Sequence, residues 1–206
     1  MIGILDFGMG NIRSVSNAVS ITGYDPLVVT EASELAEASH LILPGVGQFS
    51  TAMRRLEISG LDAAVREFAD SQRPVLGVCL GMQLLADSGT EGGGQCGGLG
   101  LIGGKVVAFP RASGLRIPHV GWNSVSIVRE HPVLNGIKEE RDFYFVHSYV
   151  FATASNTAVL GLTEYGSTFV SAIGQGNVIG FQFHPEKSQA NGLRLIEQFC
   201  GWDGRC

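Results

Sequence analysis

The sequence predicts an α/β fold with a mixed, mostly parallel central sheet flanked by helices. Short apolar runs alternate with helical patterns through the first half of the chain, the alternation of a doubly wound arrangement. Strand-like runs separated by turn residues continue through the second half. A chain of 206 residues with 45% apolar composition suits one domain with a full core better than two. With no internal repeat and no linker rich in proline, serine or charge, residues 1–206 read as that one domain.

Taken in order, residues 2–5, 26–30, 41–43 and 75–78 are apolar runs expected to be buried strands. Between them Ile12, Val15 and Val19 recur at helical spacing before Gly23, and Leu61, Ala64, Val65 and Phe68 do so before Pro74. Residues 89–104 are dense in glycine and without periodicity, and are expected to form a surface loop whose role is not readable. Later strands are expected at 106–109, 124–128, 143–151 and 178–183, with a closing helix marked by Leu193, Ile196 and Phe199.

A net charge of -5 gives no broad basic footprint, which disfavours nucleic acid and anionic membrane as partners and leaves a small soluble substrate. The start of the chain has no basic segment followed by a long apolar one, and no apolar run approaches a membrane span, so a cytoplasmic location is expected. Cys79, Cys96, Cys200 and Cys206 lack paired C-x-x-C spacing, so neither a zinc site nor a disulfide framework is indicated.

Chemistry enters at Gly77-Val78-Cys79-Leu80-Gly81, where an apolar run passes into a helical pattern. A tight strand-to-helix turn strains its central residue and demands small neighbours, so this segment reads as a nucleophile elbow carrying cysteine. A helix N-terminus beside the sulfur favours thiolate over thiol, and the Leu80 N–H would point at the oxyanion of a tetrahedral intermediate. A small buried cysteine in a plain connection is the alternative. A cysteine nucleophile needs an imidazole and a group to orient it. His184 ends the run at 178–183 and is followed by Pro185, which places it at the sheet's carboxyl edge. Glu186, two residues on, would lie on the same side of an extended chain and could hold the imidazole tautomer. Singly, His184 could be a strand-end histidine satisfied by backbone and Glu186 a solvated loop carboxylate.

Together, Gly77-Val78-Cys79-Leu80-Gly81 and His184-Pro185-Glu186 resemble the class I glutamine amidotransferases, a family of flavodoxin-like fold. Within that class the chain is similar to the glutaminase subunits of imidazole glycerol phosphate synthase. The segments that carry the likeness are Asp6-Phe7-Gly8-Met9-Gly10-Asn11, Leu43-Pro44-Gly45-Val46-Gly47-Gln48-Phe49, Pro118-His119-Val120-Gly121-Trp122-Asn123, Phe143-Tyr144-Phe145-Val146-His147-Ser148-Tyr149 and His184-Pro185-Glu186-Lys187-Ser188.

The resemblance implies that Cys79 attacks the glutamine amide, His184 moves protons and Glu186 orients His184. It further implies that Gly45, Val46 and Gly47 supply oxyanion backbone and that Gln83, Ser148 and Tyr149 hold glutamine. Ammonia would pass to a (β/α)8-barrel cyclase subunit in a heterodimer, with Asn11, His119, Trp122, Tyr144 and Lys187 facing that partner and no metal or organic cofactor involved. The residues alone allow either an interface or a core role for Trp122, placed beside glycine and asparagine in an expected turn. By the same resemblance the isolated chain should be a feeble glutaminase until its partner binds. Three other readings remain at this point: a paralogue supplying ammonia to amidinate a surface-polysaccharide sugar, an inactive scaffold of the same fold, and a cysteine hydrolase of other substrates.

Overall fold

The computed structural model describes residues 1–110, 115–137 and 141–205. Its elements run β1 (Ile2–Leu5), α1 (Ile12–Ile21), β2 (Pro26–Val29), β3 (His40–Gly45), α2 (Phe49–Ser59), α3 (Leu61–Asp70), β4 (Val75–Cys79), α4 (Leu80–Leu84), β5 (Ser88–Gly89), β6 (Cys96–Gly97), β7 (Gly104–Ala108), β8 (His119–Ile127), β9 (Arg141–His147), β10 (Tyr149–Thr153), β11 (Val159–Glu164), β12 (Thr168–Gln175), β13 (Val178–Phe181) and α5 (Gln189–Cys200).

Strands are ordered β2-β1-β3-β4-β13-β12-β10-β7-β5-β6, and the first five are mutually parallel. Beyond β13 the sheet turns antiparallel through β12, β10 and β7. A side branch leaves β12 through β11 and β8 to β9. Strands β1, β4 and β13 are buried along their whole length, which is why each reads as an unbroken apolar run. One hydrophobic cluster, with Phe49, Leu56, Val65 and Phe68, packs α2 and α3 on one face. The other, with Val15, Val19, Leu195 and Phe199, packs α1 and α5 on the opposite face, giving the layered α/β fold expected from the sequence.

Several elements depart from expectation. Helix α2 was not foreseen, although Phe49, Ala52, Met53 and Leu56 are its buried stripe. Neither were β11 and β12, whose inward residues are interrupted by Gly161 and Gly174; a Cβ at Gly174 would sit 2.8 Å from Leu160 Cδ1. The expected single strand over 143–151 is two, because the chain leaves the β8–β9 ribbon and enters the main sheet at Ser148. Residues 118–123 form no turn: His119 onward is the start of β8. The expected loop at 89–104 contains the small β5–β6 pair, and β5 extends the sheet beside β7.

Candidate active site

Strand β4 delivers Cys79 to the carboxyl edge of the parallel sheet, where α4 begins. Its backbone sits at φ 55°, ψ -110°, a left-handed conformation that a non-glycine residue adopts only when its surroundings impose it. The imposition is visible in the two flanking glycines. A Cβ on Gly81 would lie 1.8 Å from the Leu43 carbonyl oxygen, and one on Gly77 2.6 Å from the Gly81 carbonyl oxygen. The elbow is therefore wedged between β3 and its own helix. That helix has only five residues, so its dipole is a smaller influence on the sulfur than the sequence suggested.

Strand β13 lies next to β4, in register Phe181↔Val78, and the chain continues directly from it to His184. The strand ends at Phe181, before Pro185 is reached, and Pro185–Lys187 is a 3₁₀ turn, not extended chain. The turn still brings Glu186 back onto the histidine: Nδ1 of His184 lies 2.9 Å from Glu186 Oε1, with both side chains 2% exposed. Burial opposes charge on the imidazole, but attraction to the Cys79 sulfur and the Glu186 carboxylate outweighs it and raises the His184 pKa to about 9. Nε2 of His184 makes no hydrogen bond of ordinary geometry, although the sulfur is close enough for that attraction. It is the ring atom left to exchange a proton with a reacting group. Cys200 is the contrast, a buried thiol with no such partner, its pKa pushed up to about 12 by burial alone; Cys206 lies outside the described residues.

Cys79 opens into a cavity of ≈ 330 Å³ lined by Val46, Gly47, Leu80, Gln83, Glu91, Pro118 and the stretch from Val146 to Tyr149. Of the residues expected to surround a substrate, Val46, Gly47, Leu80, Gln83, Ser148 and Tyr149 line it, while Gly45 stands just behind at the end of β3, against Leu80. Gln83 donates from Nε2 to the Tyr149 carbonyl (3.1 Å) and to Gln182 Oε1 (3.0 Å). A carbonyl oxygen can only accept, so the amide orientation is fixed and Oε1 is the acceptor Gln83 keeps for the cavity. Gln182 in turn places its Nε2 3.9 Å from the Cys79 sulfur.

The oxyanion backbone is incomplete. Leu80 N–H lies at the head of α4, but Val46 N–H donates to the Met9 carbonyl at 2.8 Å and so is not offered to the cavity. Three contributors escaped sequence reasoning. Gln182 had a signal, a polar residue between Phe181 and Phe183 on a buried run, and it is 0% exposed. Glu91 sits in the glycine-rich stretch; it accepts the Phe49 N–H at 2.9 Å at the head of α2, and burial raises its pKa. Met9 is visible only through its backbone.

The residues expected at a partner surface divide. Trp122 is 48% exposed on β8, directly across from Tyr144 on β9 at 6.0 Å between ring centroids. Lys187 Nζ lies 5.8 Å from the Tyr144 ring, and Tyr144 reaches to within 6.5 Å of the His184 ring, so these three flank the catalytic candidate. Asn11 stands apart at the head of α1. His119 departs from its expected place: it is 2% exposed and covered by aromatic rings, and the outward residue there is Val120, 54% exposed. Among the described residues no cluster of His, Cys, Asp or Glu is suited to hold a metal, and no helix is long and apolar enough to cross a membrane.

Known proteins resemble the chain along nearly its whole length. Residues 3–200 match the family model described as glutamine amidotransferase class-I. The chain is 47% identical over 193 residues to the imidazole glycerol phosphate synthase subunit HisH of Symbiobacterium thermophilum, covering 94% of this chain and 90% of that one. It is 45% identical over 197 residues to the protein of the same name from Aquifex aeolicus, covering 95% and 94%. A crystal structure of a glutamine amidotransferase superposes with a TM-score of 0.76 at 22% identity, over 98% of this chain and 99% of that one, a likeness of fold.

Proposed function

The chain belongs to the class-I glutamine amidotransferase family, and on that premise we propose that it is the glutaminase subunit of an imidazole glycerol phosphate synthase. Residues 1–206 act as one domain in the cytoplasm, hydrolysing glutamine and passing the ammonia to a (β/α)8-barrel cyclase subunit for synthesis of imidazole glycerol phosphate and AICAR in histidine biosynthesis. The observation that carries the chemistry is the buried Cys79–His184–Glu186 set opening on a cavity of ≈ 330 Å³.

In this reading the Cys79 thiolate attacks the side-chain amide carbon of glutamine, and its carbonyl oxygen becomes the oxyanion. His184, protonated at Nε2, gives that proton to the leaving nitrogen as the C–N bond breaks, releasing ammonia and a thioester. Neutral again, His184 takes a proton from water as it attacks the thioester, and glutamate leaves. Glu186 holds Nδ1–H throughout, so one ring nitrogen always faces the reaction. Gln83 Oε1 and the Glu91 carboxylate are acceptors on the cavity wall, suited to the substrate's α-ammonium. Leu80 N–H is one oxyanion donor. Val46 N–H becomes the second only after leaving the Met9 carbonyl, which makes the isolated chain a slow glutaminase. Docking of the cyclase against Trp122, Tyr144, Lys187 and Asn11 is what drives that change.

The test is glutamate release by the purified chain, alone and with an imidazole glycerol phosphate synthase cyclase and its substrate. One oxyanion donor is worth about 10²–10³ in kcat, so stimulation of at least that order is expected. Cys79-dependent hydrolysis with no stimulation would move the assignment to the polysaccharide-modifying paralogues, and no hydrolysis under any condition would favour an inactive scaffold.

A further inference from the structure

Two buried histidines, His147 in the wall of the glutamine cavity and His119 behind it, are not used by the hydrolytic reaction. His119 on β8 and His147 on β9 are directly opposite in the ribbon, 2% and 5% exposed, with His119 Nδ1 3.0 Å from His147 Nε2. The His119 ring is sandwiched between Tyr165, at 3.9 Å and 22°, and Phe145, at 4.9 Å and 24°, while Phe169 packs against both histidines. A pair of apolar side chains would fill this aromatic cage without the desolvation that two imidazoles incur.

What the imidazoles supply is direction. His147 Nδ1 is 2.9 Å from the Tyr149 carbonyl, which can only accept, so the hydrogen of His147 is on Nδ1 and its Nε2 is a bare acceptor. His119 must then donate from Nδ1, which leaves its own Nε2 bare, 3.4 Å from the Asn123 side-chain nitrogen. Asn123 Nδ2 also donates to the Glu164 carbonyl at 2.9 Å, and Asn123 Oδ1 accepts the Ser124 N–H at 2.8 Å, so its orientation is fixed too. The chain of bonds has one self-consistent assignment, running from Asn123 through His119 and His147 to the Tyr149 carbonyl. That carbonyl also accepts from Gln83, whose other hydrogen goes to Gln182 beside the Cys79 sulfur.

We propose that His119 and His147 are positioning residues, a tautomer-locked hydrogen-bonded pair that sets the backbone of residues 147–149 and, through Tyr149, the side chain of Gln83 in the glutamine cavity. The pair rests on the glutaminase reading and deepens it. One end is built into the strand that presents Val120 and Trp122 outward, and the other is the cavity wall itself, so a shift of β8 is felt where glutamine binds. Burial keeps both rings uncharged, with pKa values of about 4, so at neutral pH each ring carries a single N–H.

Two measurements test the pair. Nitrogen-15 NMR of the imidazole rings of the intact wild-type chain at pH 7 should show the Nδ1–H tautomer at both His119 and His147. Finding Nε2–H at either ring overturns the proposal whatever the activity. Glutaminase kinetics with the cyclase present should then separate KM from kcat. His119→Leu leaves His147 Nε2 without a donor and should raise KM for glutamine roughly tenfold with kcat changed less than about threefold, the scale of one lost buried hydrogen bond. His119→Asn, whose amide can replace the Nδ1–H donor, should recover most of that rise. A KM unaltered in His119→Leu, or raised equally in both variants, sinks the positioning role. Should wild type itself release no glutamate, the functional reading fails, while the tautomers still decide the pair.

Discussion

At the scale of single residues, Cys79 concentrates two constraints: a strained backbone and a charged neighbour. The strain is isolated by comparing Cys79→Gly with Cys79→Ala. Glycine relaxes at φ 55° and alanine does not, so the glycine variant should melt roughly 2–4 °C higher, the equivalent of about 1 kcal/mol in a chain this size. Equal melting temperatures would mean that the elbow is not strained. The charge is read from His184 by NMR titration in Cys79→Ala. Burial alone depresses the imidazole, and removing the sulfur's attraction should bring its pKa down from about 9; an unchanged value would put the entire rise on Glu186. In the complex the same variant should lose glutamine-driven synthesis yet keep synthesis driven by added ammonia. Loss of both would contradict channelling between separate active sites.

At the scale of elements, the site depends on how closely backbone approaches backbone. Gly81→Ala places a methyl group on the Leu43 carbonyl, and should cost about 3 kcal/mol or more, a drop of roughly 6–12 °C in Tm followed by thermal circular dichroism. A variant with wild-type Tm would show that α4 can move away from β3. This is also where sequence reading succeeded and where it stopped. Strands β1, β4 and β13 were legible because burial on both faces leaves an unbroken apolar run, and the elbow was legible because its glycines have a steric cause. Strands β11 and β12 were not, because Gly161 and Gly174 break the alternation where neighbouring side chains fill the space. Helix α2 was hidden by the glycine motif immediately before it, and Glu91 by a stretch with no periodicity at all. An extended chain would set Glu186 beside His184, but it is a 3₁₀ turn that makes the contact. The burial of His119 was hidden because residues 118–123 read as a turn, where a side chain faces solvent, and not as the start of β8, one of whose faces is covered.

At the scale of the whole molecule, histidines set opposing limits on stability with pH. His119, His131 and His147 have pKa values lowered to about 4 by burial, below the ordinary 6.5. The unfolded chain therefore takes up protons that the fold refuses, and stability is lost as pH falls from about 6.5 toward 4. His184 has the opposite sign. Its raised pKa contributes stability fully present below about 6.5 and lost as pH climbs toward 9. Thermal unfolding followed from pH 4 to 9 should peak near neutrality and decline on both sides, and a Tm flat down to pH 4.5 would contradict the neutral burial of the three histidines. The same architecture bears on how the protein is born. Strand β13 is inserted between β4 and β12, so the nucleophile leaves the ribosome about a hundred residues ahead of its base. Until β13 emerges, β4 has an open edge facing the place β13 will take, the kind of unpaired strand that chaperones shield and that pairs wrongly when crowded. A nascent chain that has not yet extended through β13 and His184 is thus aggregation-prone and chemically silent at once: it cannot squander glutamine before its base arrives.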